Sequence, residues 1–110
     1  MSPHPDAALL ATTFCGLPLA SPIVLLSGCV GFGEEYTRVE GFSNRDVGAV
    51  VLKGTTLHPR LGNEPHRIAE TPMGMLNAIG LQNPGVDAVV SRILPSLDFS
   101  ETRFIANACG

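Results

Sequence analysis

Three short runs of apolar residues constrain this chain more than any other feature, because each is unbroken and each ends at a polar side chain or a glycine. They are 23-IVLL-26, which stops at 27-SGCVGFG-33; 47-VGAVVLKG-54, which stops at a lone lysine and a glycine; and 103-RFIANACG-110, which gives way at Asn107. None alternates apolar with polar residues, so none has a wet face. Such runs suit strands buried on both sides, as in a parallel sheet. Between the first two, 34-EEYTRVEGF-42 carries Tyr36, Val39 and Phe42 at helical spacing and acidic residues at its start, which predicts a short helix. Before the third, 85-GVDAVVSRILPSL-97 places Val86, Val89, Val90, Ile93 and Leu94 on one helical face. Asn83 is the expected N-cap of that helix, Pro84 its first residue and Pro95 its close. Strands alternating with helices argue for βαβ units.

Upstream, 10-LATTFCGLPLASP-22 holds two short extended segments about Gly16 and predicts a hairpin. Residues 1–8, with two prolines, are expected to be a flexible N-terminus, and 9–110 forms the structured part. The chain is polar and irregular from 55 to 72. It then runs into 71-TPMGMLNAIGLQNPG-85, which has three glycines, two prolines, three amide side chains and no charge. That stretch is too broken for a helix and too rich in glycine for an ordinary strand, so it reads as a long neutral loop. Its Met73, Met75, Leu76, Ile79 and Leu81 are unusually apolar for one.

Composition narrows the function. With 45% apolar and 15% charged residues the chain is globular rather than disordered. A net charge of -3, with Lys and Arg scattered, offers nothing to nucleic acid or an anionic membrane. No apolar run approaches the ~18 residues of a membrane span, and the first residues lack the basic start of a signal peptide. Cys15, Cys29 and Cys109 are odd in number, far apart and free of any CxxC, which reads as reduced thiols in a cytoplasmic protein.

In parallel α/β proteins ligands gather at the carboxyl ends of strands. Here those ends carry Ser27-Gly28, Lys53-Gly54 and Asn107. Lys53 offers a cation to a carboxylate, a phosphate or an electron-rich ring, and Gly54 beside it leaves room for close approach to the backbone. Alternatively, Lys53 is a lysine that has simply reached solvent. Ser27-Gly28 with 31-GFG-33 matches neither GxGxxG nor a P-loop, and by itself reads as a plain turn. His58, Glu64 and His66 share one loop without a metal-ligand spacing, and Arg60, Arg67 and Glu70 are expected to pair with one another or with solvent. No nucleophile–His–acid arrangement is present, and Cys29 has no histidine placed to activate it.

The segment 57-LHPRLGNEPHRIAETPMGMLNAIGLQNPG-85, together with 22-PIVLLSGCVGFGEEY-36 and 49-AVVLKGTT-56, resembles the class 1 dihydroorotate dehydrogenases. The NAIGLQNPG form is similar to their NAD-linked (1B) branch, and the likeness runs from about Leu10 to the last residue.

That resemblance implies an α/β fold. The chain would be the N-terminal portion of a (β/α)8 TIM barrel, about three of eight strands, preceded by a β-hairpin. The family oxidises dihydroorotate to orotate in pyrimidine synthesis with FMN at the barrel's C-terminal rim. By position, Ser27, Lys53, Gly54 and Asn107 would contact FMN. Lys53, Asn77, Ala78, Ile79, Gly80 and Leu81 would receive dihydroorotate or orotate. Orotate is planar and anionic with amide edges, so amides and backbone N–H groups suit it. The catalytic base, a cysteine in class 1 enzymes, would lie beyond Gly110, so neither Cys29 nor Cys109 takes that role. Leu26 stands where the family often has a smaller residue. A catalytic homodimer joined to an FAD/iron–sulfur subunit in a heterotetramer would pass electrons to NAD. The other readings are a dihydropyrimidine dehydrogenase-type flavoenzyme and a non-catalytic truncated product.

Overall fold

The computed structural model describes residues 7–110. In chain order the elements are α1 (Ala7–Leu10), β1 (Thr12–Phe14), β2 (Leu17–Leu19), β3 (Val24–Leu25), α2 (Ser27–Val30), 3-10 turns at Tyr36–Arg38 and Asn44–Asp46, β4 (Ala49–Val51), β5 (Ile68–Thr71) and β6 (Gly74–Asn77). They continue with α3 (Val86–Ala88), a π turn (Val89–Ile93), α4 (Leu94–Ser96) and β7 (Arg103–Ile105). Two compact units emerge: one runs to Lys53 and resumes over Ser96–Asn107, the other comprises Gly54–Pro95 and Ala108–Gly110. The expected flexible N-terminus, 1–8, lies outside the described residues except for Ala7 and Ala8, which begin α1.

In the first unit the apolar runs become a three-stranded sheet of order β3-β4-β7, parallel throughout, with Val24 beside Ala49 and Val50 beside Phe104. Only the middle strand meets the expectation of burial on both faces. Ala49 and Val50 are fully buried, whereas β3 is half-buried and its flanks Ile23 and Leu26 are exposed. The difference follows from position, since an edge strand in a three-stranded sheet has one neighbour. Leu19, Val30, Val47 and Leu52 complete the unit's buried apolar set. Full burial of a valine such as Val50 contributes about 1.5–3 kcal/mol.

Glycine is required at two points of this packing. At Gly33, with φ at 85°, a Cβ would sit 3.1 Å from the Phe104 ring and 3.3 Å from Val50. At Gly48 it would run into the Ser21 carbonyl oxygen.

The hairpin β1–β2 forms as expected, closed by Cys15 and Gly16 with φ of 48° and 77°. The helix expected over 34–42 does not form. Only the 3-10 turn Tyr36–Arg38 is present, with Tyr36 and Phe42 in edge contact at 6.0 Å and Gly41 turning away at φ 84°. The apolar spacing is thus satisfied by one ring pair rather than a continuous face. Ser43 and Asp46 then form a reciprocal capping box that starts the next turn, and the buried Asn44 amide donates to the Gly33 carbonyl at 3.0 Å.

In the second unit the stretch expected to be a loop contains a hairpin. Strands β5 and β6 pair antiparallel from Ile68–Asn77 to Thr71–Gly74. All eight residues are exposed, so neither face imposes an alternation that sequence could betray. Asn83 is not the helix cap, because Gly85, at φ 85°, precedes α3. The Asn83 side chain is buried and its Oδ1 instead accepts from the backbone of Thr56 (3.1 Å) and Gly85 (2.9 Å). Pro95 does not stop the helix before itself but lies within α4, directly after the π turn. A proline ring collides with the carbonyl four residues back and offers no N–H, and a widened turn relieves both problems.

Candidate functional site

Parallel pairing sends the chain out of β3, β4 and β7 on the same side, which fixes where their polar endings lie. Ser27 follows β3 by two residues, Lys53 follows β4 by two, and Asn107 follows β7 by two. All three are half-buried. The Asn107 amide donates to the Ser27 hydroxyl at 3.2 Å. Because β4 lies between β3 and β7, this bond spans the carboxyl end of the middle strand. Before Lys53, Leu52 is buried and its N–H donates to Ile105 at 2.9 Å. Successive residues of an extended chain face opposite ways, so Lys53 leaves the side that Leu52 occupies. Leu26, the departure from the family pattern, is 63% exposed at the N-cap of α2, so it fills no packed position within this chain.

The second unit holds the remaining expected residues. Gly54 is buried. Asn77 closes β6 opposite Ile68, and its exposed amide takes no partner among the described residues. From Ala78 to Leu81 the backbone is tightly held on its carbonyl side. Ala78 O accepts from Asn63 Nδ2 (2.9 Å), Ile79 O from the Asn63 N–H (3.0 Å) and Leu81 O from Asn83 Nδ2 (2.9 Å). The Ala78 N–H donates to Arg67 O at 2.7 Å. The N–H groups of Ile79, Gly80 and Leu81 take no partner among the described residues. Gly80 and Leu81 are both left-handed, with φ of 80° and 56°. The structure therefore brings Ser27 and Asn107 into contact and sets Asn77–Leu81 as one run, of which the N–H groups of Ile79, Gly80 and Leu81 are unpartnered among the described residues.

Several residues that hold this run went unrecognised as polar loop residues. Arg67 was expected to pair with Glu70 or with solvent. Its guanidinium instead donates to Asn63 O (2.6 Å), Leu61 O (3.0 Å) and Gln82 Oε1 (2.7 Å). Arg60 exchanges both backbone hydrogen bonds with Asn83, and Thr56 Oγ1 lies 3.0 Å from Asn83 Nδ2. The available signal was the glycines: a Cβ at Gly62 would lie 2.5 Å from Ile79 O, and one at Gly85 would lie 2.9 Å from Pro59 N. Such approaches mark segments pressed backbone to backbone.

No helix among the described residues is long and apolar enough to cross a membrane, and Cys15, Cys29 and Cys109 form no disulfide.

A parallel sheet that ends in a hydroxyl, an ammonium and an amide defines an α/β protein with a candidate ligand site at its strand ends. The chain belongs to the dihydroorotate dehydrogenase family, whose model matches residues 9–109. It is 52% identical over 101 residues to the catalytic subunit of dihydroorotate dehydrogenase B (NAD(+)) from Bacillus caldolyticus, an alignment covering 92% of this chain and 32% of that protein. The counterpart from Geobacillus kaustophilus gives the same figures. That from Listeria monocytogenes serotype 4a is 50% identical over 92% of this chain and 33% of its own length. The chain thus spans about a third of the length of these relatives.

Proposed function

We propose that this chain is part of the catalytic subunit of an FMN-dependent enzyme that oxidises dihydroorotate to orotate for pyrimidine synthesis. The observation that carries the reading is the Ser27–Asn107 bond across the end of the strand that delivers Lys53. A hydroxyl, an amide and an ammonium on one rim match the mixed donor and acceptor edge of a flavin. In this reading the sheet belongs to a (β/α)8 barrel of ~250 residues and its rim residues bind the cofactor. FMN, when bound, supplies the hydride acceptor.

The chain's own residues then divide the work. Ser27 and Asn107 orient the ring system, and buried Gly54 gives it backbone to lie against. Lys53 holds a fixed positive charge near the substrate carboxylate and the negative charge that develops on reduction. Asn77 meets the pyrimidine amide edge with its unpartnered amide. The N–H groups of Ile79, Gly80 and Leu81 receive substrate oxygens, an arrangement that needs no charge from the loop itself. Electrons leave through an FAD/iron–sulfur partner subunit to NAD, in the cytoplasm, with the catalytic subunit as a homodimer in a heterotetramer.

The complete enzyme, purified, tests this directly. Flavin absorbance should accompany the protein, orotate should perturb it, and dihydroorotate should bleach it. Lys53→Ala should abolish the orotate response and lower kcat/KM at least a hundredfold, equivalent to about 2.7 kcal/mol. A colourless protein, or one that turns over dihydrouracil but not dihydroorotate, would refute the assignment.

A further inference from the structure

Resting on that reading, we propose that Asn63 is a positioning residue for substrate recognition, one that never touches the substrate but aims the groups that do. Three bonds converge on it. Its Nδ2 donates to Ala78 O at 2.9 Å, its backbone N–H to Ile79 O at 3.0 Å, and its own carbonyl accepts from Arg67 Nε at 2.6 Å. A trans peptide is planar, with its C=O and N–H pointing opposite ways. Turning the Ala78 and Ile79 carbonyls onto Asn63 therefore turns the N–H groups of Ile79 and Gly80 away from it. Those N–H groups have no partner among the described residues, so they are left for a ligand.

Gly80 is what lets Asn63 come this close. A Cβ there would lie 2.7 Å from both Asn63 N and Oδ1. The consequence is a preset anion-receiving edge, built by an exposed amide on a neighbouring loop. Without Asn63 Nδ2 the Ala78 carbonyl loses the partner that sets the tilt of the Ala78–Ile79 peptide, and substrate binding must fix that tilt each time.

The test uses the complete flavin-loaded enzyme, with orotate titrated against the flavin spectrum. Asn63 is exposed, so truncating it opens no core cavity. Asn63→Ala removes the donor, and Asn63→Asp keeps the shape over Gly80 but faces the Ala78 carbonyl with an oxygen. Both should raise the orotate dissociation constant roughly five- to tenfold. KM for dihydroorotate should rise by the same factor, with the loss falling on KM rather than kcat, while flavin content and thermal midpoint stay at wild-type values. Unchanged orotate binding in both variants would overturn the positioning role. So would a loss of binding that only accompanies loss of flavin or fold. If the wild-type flavin does not respond to orotate at all, the functional reading itself fails and the positioning role goes with it.

Discussion

Cys15 occupies a conformation that its side chain disfavours. With Gly16 it closes the two-residue turn between Phe14 and Leu17, both at positive φ, the pattern of a type I′ hairpin. Asparagine and glycine enter that region more easily than other residues, and exposed Cys15 has no buried packing to lose. Cys15→Asn should therefore stabilise the complete protein by about 0.5–1 kcal/mol, read as a higher denaturant midpoint; a lower midpoint would contradict the argument. The same scale shows what spacing can and cannot reveal. The placement of Ser27, Lys53 and Asn107 at strand ends was legible because each follows directly on an apolar run. Asn63 was not, because a polar residue in a polar loop carries no sign of which carbonyl it holds, and Arg67 and Asn83 were read for other partners, as a surface pair and a helix cap. Leu81, left-handed at φ 56°, is kept there by the Asn83 amide, a partner nothing in the order of residues announces.

At the scale of elements, the parallel strands and the first hairpin were legible, since continuous apolar runs and a glycine turn are local signals. The hairpin β5–β6 was hidden because it is exposed on both faces and turns at Pro72-Met73, without an Asn-Gly pair. The π turn was hidden because Val86, Val89, Val90, Ile93 and Leu94 fit an α-helical face whether or not one turn is widened. The turn before β7 shows how a small element can depend on pH. Asp98 accepts from the Ser100 hydroxyl (2.6 Å) and backbone N–H (2.9 Å). Those bonds, helped by Arg45, hold its carboxyl below the usual 3.8. A lowered folded pKa means the contribution is complete above the unfolded value and disappears as pH falls through the folded one. In an NMR titration the Asp98 midpoint should fall below 3.8, and Ser100→Ala should move it upward; a midpoint insensitive to Ser100 would sink this account.

For the whole chain, the decisive fact is that it spans about a third of its relatives' length. Large apolar side chains are open to solvent in quantity: Met73 is 98% exposed, Leu61 87% and Leu57 70%. Exposed apolar surface of this extent belongs against protein. The isolated 110 residues should accordingly bind a hydrophobic dye strongly and leave dihydroorotate unconverted; weak dye fluorescence together with turnover would overturn both expectations. The sheet adds a consequence of its own. Among the described residues its outer strands β3 and β7 each pair on one side only, with β4, so each presents a row of backbone donors and acceptors with no strand beside it. Such a row is a template for any other chain's backbone. Strand would then add to strand between copies, and concentration would set how long the isolated segment escapes self-association.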